Sequence, residues 1–198
     1  MQNPPKQNRS KLRIQKIIET AEKILIDEGI DRITIAYISE LSGLKRTSTY
    51  KFFPTPKSLK LEMSNIYMSE CIKDIKSKTG NIKTDNLSVV VLRCVDILYD
   101  YFNANLKAQK IILSNEFSPS METDKFNELS IAIQSFVDTN IKLPEMFNKD
   151  GVYRVFTQII ISIFSLNAKE NNSIDEVGKI EAHRAGHAYL SDWVNQSS

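Results

Sequence analysis

The sequence predicts an all-α protein of about nine helices. An N-terminal three-helix unit built around a helix-turn-helix precedes a larger, wholly helical C-terminal unit. Three observations predict this. Apolar residues recur at spacings of three and four along most of the chain, the period of a helix with one buried face. Gly and Pro are scarce, six of each in 198 residues, and most fall between those stretches. Residues 34–59, TIAYISELSGLKRTSTYKFFPTPKSL, read as two short helices joined by a Gly-containing turn, with a capped restart after them.

The first helix carries Ile14, Ile17, Ile18, Ala21, Ile24 and Leu25 on one stripe and ends at Asp27-Glu28-Gly29. Thr34 caps the next helix by accepting one of its orphan N–H groups, and Ile35, Ile38 and Leu41 form its apolar face. Gly43 supplies the positive φ of a tight helix end, and Leu44 plugs the turn. In the following helix Thr49, Phe52 and Phe53 point inward. Lys45, Arg46, Thr47, Ser48, Tyr50 and Lys51 stay outside, an array of long cationic donors, short hydroxyls and a phenol suited to phosphates and base edges. The same pattern also fits an ordinary helical hairpin with a solvated basic face. Thr55 then caps a fourth helix with Pro56 at its first position, where the missing N–H costs nothing. That helix runs towards Lys78 with Leu59, Met63, Ile66 and Tyr67 on one side.

Residues 79–86, TGNIKTDN, make a turn-rich break, after which Asp85 or Asn86 caps a helix bearing Leu87, Val90, Val91, Cys94, Leu98, Tyr101 and Phe102. A shorter helix spans Leu106–Phe117 and closes at Ser118-Pro119. Another extends from about Met121 to Ile141 with Phe126, Leu129, Ile133, Phe136 and Val137, until Leu143-Pro144 breaks it. Asp150 or Gly151 opens the next, with Val152, Val155, Phe156, Ile159, Ile160, Ile163 and Phe164 on its stripe and Ile161 and Leu166 off it. The last helix runs from about Ile174 to Val194. Abundant Ile favours strand by propensity, but the helical spacing outweighs that weak preference.

Charge is unevenly placed. Residues 1–60 hold 12 Lys and Arg against 6 Asp and Glu, a net of +6; residues 61–198 hold 14 against 18, a net of −4. A basic N-terminal third on an acidic remainder suits a nucleic-acid reader attached to something else. Lys6, Arg9, Lys11, Arg13 and Lys16 meet no acidic residue before Glu19. They form either a solvated tail or an arm touching backbone or minor groove. The expected organisation is a flexible basic arm over residues 1–10, the DNA-binding domain over 11–56 and a second helical domain over 57–198.

Several function classes are disfavoured. The polar start MQNPPKQNRS has no apolar core of a signal peptide. The most apolar stretch, Ile159 to Leu166, is far shorter than the roughly 18–20 residues of a membrane span, so no membrane partner and a cytoplasmic location are expected. Cys71 and Cys94 fit a reducing compartment without a disulfide framework; buried structural thiols are the main reading and a redox pair the minor one. His183 and His187 are four apart on the last helix, a spacing that can hold a metal, but no HExxH pattern or Cys partner accompanies them. No phosphate loop or nucleophile–histidine arrangement appears, so no catalytic residue, metal or cofactor is expected.

Residues from about Ile14 to Leu59 resemble the DNA-binding domain of the TetR (tetracycline-repressor) family. The resemblance rests on Asp27-Glu28-Gly29, Thr34-Ile35-Ala36-Tyr37-Ile38, Ser42-Gly43-Leu44, Thr49-Tyr50-Lys51-Phe52-Phe53 and Leu59. The chain departs from the family pattern at Lys45, usually Ser or Thr, at Thr49, usually aliphatic, and at Pro56, usually a phosphate-binding Lys whose role passes to Lys57. The expected DNA contacts are Arg9, Lys11, Thr34, Lys45, Arg46, Thr47, Ser48, Tyr50, Lys51 and Lys57. Arg46 is expected on a base, supported by Thr47 and Lys45, with Ser48, Tyr50 and Lys57 on phosphates.

One helix-turn-helix reads one half-site, which favours a homodimer. The resemblance implies an interface made from the last two helices, with Ile159, Ile163, Ala182, Ala185, Gly186 and Tyr189 as its residues. It further implies a small-molecule effector inside the second domain, where Tyr67, Tyr99, Phe102, Phe126, Phe136 and Phe156 belong to an aromatic-rich interior that also includes Phe117, Phe147 and Tyr153. The expected function is a ligand-responsive transcriptional regulator, a repressor that binds a palindromic operator on double-stranded DNA. The alternatives are a protein-interaction module on the same fold, or a helical small-molecule or metal-binding protein without DNA function.

Overall fold

A computed structural model describes residues 6–78, 80, 82–113 and 124–196. Among them are nine α-helices and no strand: α1 (Lys6–Asp27), α2 (Ile35–Ser42), α3 (Arg46–Phe52), α4 (Pro56–Ser77), α5 (Leu87–Ala104), α6 (Leu106–Ile112), α7 (Asp124–Asn140), α8 (Lys149–Asn171) and α9 (Glu176–Gln196). The chain forms two compact units, Met1–Asn65 and Ile66–Ser198. The division falls inside α4 rather than between residues 56 and 57, and residues 6–10 of the expected arm are the first turns of α1. The expected helix boundaries at Phe117, Ser118-Pro119 and Met121 lie outside the described residues.

In unit 1 the stripe of α1 is buried at Ile17, Ala21, Ile24 and Leu25. The helix stops where Gly29 takes φ +92°, with the N–H groups of Glu28 and Gly29 both donating to the Ile24 carbonyl. A single 3-10 turn, Ile30–Arg32, leads to α2. The helix-turn-helix pairs α1 with α2 and α2 with α3. At the start of α4, Thr55 and Ser58 cap each other: the Ser58 N–H donates to Thr55 Oγ1 at 3.1 Å and the Thr55 N–H to Ser58 Oγ at 3.2 Å. This is a capping box with Ser in the place usually held by Glu.

Unit 2 packs the C-terminal part of α4 and helices α5–α9 around one interior. Phe102, Phe126, Phe136, Tyr153, Phe156 and Phe164 are wholly buried. Edge-to-face pairs set the ring packing, Phe102 on Phe164 at 6.4 Å and Tyr153 on Phe156 at 6.2 Å between centroids. The segment leaving α4 is pinned to α7, where the Asn140 side-chain oxygen accepts the Ile82 N–H at 2.8 Å and its backbone carbonyl accepts the Thr84 N–H. A polar clasp turns α8 into α9. Asn167 Oδ1 accepts the Asp175 N–H at 2.8 Å, and Asp175 Oδ1 accepts both Asn167 Nδ2 and the Gly178 N–H. The Gly178 N–H, followed by Asn167, holds the Asp175 carboxyl below the usual range, as for a carboxylate capping a helix N-terminus.

Helix α8 begins at Lys149, after Asn148 in the left-handed region, and runs to Asn171. It is longer at both ends than its apolar stripe, because its first and last turns are polar. Among the described residues α8 alone meets the length and apolarity of a membrane span, and its face from Val152 through Tyr153, Phe156, Ile160 and Phe164 is packed inside unit 2.

Two aromatic expectations need correction. Tyr99 is not interior: its hydroxyl donates to Glu176 Oε1 at 3.3 Å, and the Lys179 ammonium lies 5.0 Å from its ring centre, on the outer side of the α5–α9 contact. Phe147 is 86 % exposed in the loop before α8. Phe117 lies outside the described residues.

Two of the small residues of α9 are used within the chain. Ala182 is fully buried, and a Cβ on Gly186 would stand 2.8 Å from Phe156 Cε2 and 3.6 Å from Val91 Cγ1. Gly186 therefore lets α8 and α5 close on α9, and these two residues do not face a second copy. Gly186→Ala is expected to destabilise the protein by about 1–3 kcal/mol from overpacking. The gain of up to about 1 kcal/mol in helix propensity offsets only part of that, so urea unfolding should show a lower midpoint.

Cys71 and Cys94 are buried free thiols. Burial raises both pKa values, Cys94 to about 12. The folded thiols thus hold protons that the unfolded chain releases above its ordinary value of 9.0. Their contribution to stability is complete below about pH 9 and is lost as pH rises, by up to about 1.4 kcal/mol per pH unit for each thiol. Urea unfolding of Cys94→Ala should accordingly show a shallower loss of stability above pH 9 than the parent.

Candidate nucleic-acid interface

The site is the outer face of α3 with the turn that aims it. Thr34 caps α2, its hydroxyl accepting the Tyr37 N–H at 3.2 Å. Gly43 ends the helix at φ +66°, ψ 16°. Lys45 occupies the N-cap of α3 with no side-chain capping bond, as its departure from Ser or Thr implies. Thr49 is fully buried and returns its hydroxyl to the Lys45 carbonyl at 3.4 Å, which makes a hydroxyl tolerable where an aliphatic is usual. Phe53 is buried beside it and Phe52 half-buried.

Around that buried edge, Arg46, Thr47, Tyr50 and Lys51 are all exposed, and Ser48 is half-buried. By helical spacing Thr47 and Lys51 point most directly away from Thr49, Tyr50 stands about a quarter-turn from it, and Arg46, three residues before Thr49, is exposed beside the buried edge at the first turn. Thr34, Lys45 and Lys57 are exposed in the same unit, as are Arg9, Lys11 and Arg13 along α1. The arrangement gathers four exposed groups of the expected set on one short helix; Arg9 and Lys11 lie on α1 and Lys57 on α4.

Leu41 departs from expectation. It is 54 % exposed, and the buried stripe of α2 is Ile35, Ile38, Ser39 and Ser42. Both serines are accommodated because they bond backward into their own helix, Ser39 Oγ to the Ile35 carbonyl at 2.7 Å and Ser42 Oγ to the Ser39 carbonyl at 3.5 Å. Sequence also gave no sign of the contact that ties α2 to the end of α1. The Tyr37 hydroxyl donates to Glu28 Oε1 at 2.8 Å, the Arg32 guanidinium stacks 5.7 Å from the Tyr37 ring centre, and Arg32 pairs with Glu28 at 3.3 Å. The hydrogen bond to Glu28, with smaller help from burial, raises the Tyr37 pKa.

The expected sites of unit 2 are distributed differently. Tyr67, Phe102, Phe126, Phe136 and Phe156 are in its core. Ile159 and Ile163 are half-buried and, with Val155, Gln158 and Ser162, line a surface depression of about 350 Å³ on α8. Ala185 and Tyr189 are half-buried on α9, and Tyr189 lines a second hollow of about 390 Å³ with Trp193, Val152 and Val155. The His183 and His187 rings stack at 6.0 Å, and Nε2 of His183 lies 3.1 Å from both oxygens of Ser88. No group of three metal-binding side chains occurs among the described residues.

No family model matches the chain. It is similar over more than nine-tenths of its length to solved structures. A TetR-family transcriptional regulator from Streptomyces coelicolor superposes with a TM-score of 0.59 at 14% identity, covering 92% of this chain and 98% of that one. The fold is that of the TetR-family regulators. SmeT in complex with triclosan gives a TM-score of 0.56 at 16% identity, covering 91% of each chain. In sequence, an uncharacterized HTH-type transcriptional regulator from Mycobacterium tuberculosis is 25% identical over 60 residues. That match spans 30% of this chain and about a third, 32%, of the relative. On this fold the direction of α3 is set at Gly43, and a Cβ there would meet no atom within 4 Å. Gly43→Ala is thus a purely backbone strain, expected to cost unit 1 about 1–2 kcal/mol. A circular-dichroism melt should show the loss.

Proposed function

We propose that this protein is a TetR-family transcriptional regulator that binds a palindromic operator as a homodimer and is released by a small-molecule effector, acting as a repressor. The observation that carries the reading is the exposed Arg46, Thr47, Tyr50, Lys51 face of α3, held out by buried Thr49 behind the Gly43 turn. Two copies are needed because a single helix-turn-helix reads only one half-site. The half-buried Ile159, Ile163, Ala185 and Tyr189, with the apolar depression on α8, support a pairing surface on the last two helices. The triclosan complex of SmeT, on the same fold, supports a small-molecule effector, and the aromatic interior of unit 2 is the place we assign to it. An effector that prefers the form with misplaced recognition helices lowers operator affinity by linkage, and α4, which contributes to both units, is the covalent path between them.

Fluorescence anisotropy of the purified protein on DNA from upstream of its own gene, against random duplex across a salt series, tests this. Operator preference of about 10³-fold or more with a steep salt slope is expected; equal weak binding to selected genomic fragments and random duplex would reject it. Arg46→Ala should cut the preference for operator by about tenfold or more. Lys57→Ala should weaken binding to both DNAs alike and lower the salt slope by about one. Equal loss on both DNAs in Arg46→Ala would instead assign that residue to the phosphates.

A further inference from the structure

The interior of unit 2 contains a hydroxyl that packing alone does not explain. Tyr153 is 0 % exposed, and its Oη has no hydrogen-bond partner among the described residues. Three other buried atoms lack one, on Asp96, Asn127 and Gln158, but those residues reach solvent, and Asp96 has the Lys179 ammonium 3.2 Å away. Two neighbouring core hydroxyls are satisfied locally. Tyr101 donates to the Tyr67 carbonyl at 2.7 Å, and Thr157 donates to the Tyr153 carbonyl at 2.8 Å. Phenylalanine would fill the Tyr153 position with the same ring and no orphan, as it does at Phe156, one edge-to-face contact away. A buried phenol left unpaired where Tyr101 and Thr157 each find a carbonyl calls for a partner supplied from outside.

We propose that Tyr153 Oη is the polar anchor of a ligand site in the interior of unit 2, donating its O–H to a carbonyl or ether oxygen on an otherwise apolar, aromatic ligand. The inference rests on the reading of unit 2 as the effector domain. The donor role follows from the surroundings: burial first, then the nearby Asp138 and Cys94, keeps the phenol protonated. The aromatic frame follows from Phe156, which meets the Tyr153 ring at 79° and offers a ligand ring the same edge-to-face geometry. Because Tyr153 is sealed from solvent here, a ligand that reaches it stabilises a looser packing of α8, the shift in population that an effector must produce.

The test uses the full chain and a matched pair of probes, acetophenone and ethylbenzene, which differ in the carbonyl oxygen. Wild type should bind acetophenone roughly fivefold more tightly than ethylbenzene, the worth of one ordinary hydrogen bond, by thermal shift and NMR titration. In Tyr153→Phe the ratio should fall to about one through loss of acetophenone affinity alone, while the unliganded variant melts no lower than wild type and still binds DNA. A ratio that survives the substitution, or equal or absent binding of both probes to wild type, overturns the site. So does a clearly lower melting point for unliganded Tyr153→Phe, which would mean that a held water already satisfies the hydroxyl. If the ratio collapses as expected but saturating acetophenone leaves operator binding unchanged, the site stands and the effector reading of unit 2 falls.

Discussion

A helix of seven residues has almost no stability of its own, so the exposed basic face of α3 exists only through the packing that holds that helix. Thr49 and Phe53 are the buried grip on that helix, and Gly43 sets its direction. Everything polar on the outer side, Arg46 and Tyr50 included, inherits its position from those three residues. The Glu28–Tyr37–Arg32 cluster serves the same end one step back, locking α2 to the end of α1 so that the turn has something rigid to turn from. The partners are surface groups, so their individual worth is small; their value lies in fixing an angle.

Most of unit 1 was legible because local chemistry decides it. Thr34, Gly43 and the Thr55-Pro56 start act within a few residues of themselves, and each stands where its side chain or backbone freedom requires. Leu41 was misread because only two of α2's eight residues, Ile35 and Ile38, are large aliphatics on the buried side; Ser39 and Ser42 complete it by bonding to backbone carbonyls, which hydrophobic periodicity cannot register.

In unit 2 the stripes were legible and their partners were not. Gly186 announced a close approach, but whether to another copy or to Phe156 is a matter of tertiary placement. Tyr99 has the composition of a core residue and the surroundings of a surface one, because Glu176 and Lys179, nearly eighty residues later, arrive beside it. The ends of α8 escaped for a different reason: Lys149 and Asp150 at one end and Lys169 to Asn171 at the other extend the helix without extending its apolar pattern.

The two units also differ in when they can form. Unit 1 is assembled from consecutive elements, α1 on α2 and α2 on α3. Unit 2 closes only when α9 reaches α5, a pairing whose Ser88–His183 contact joins residues 95 apart in sequence. Local contacts form early and distant ones late, and chains emerge from the ribosome N-terminus first. Unit 1 is thus complete while the interior of unit 2 still lacks the wall that α9 supplies. In that interval α5 and α8 expose the apolar faces that α9 will cover, and the nascent chain is most vulnerable to aggregation just before synthesis of α9 ends.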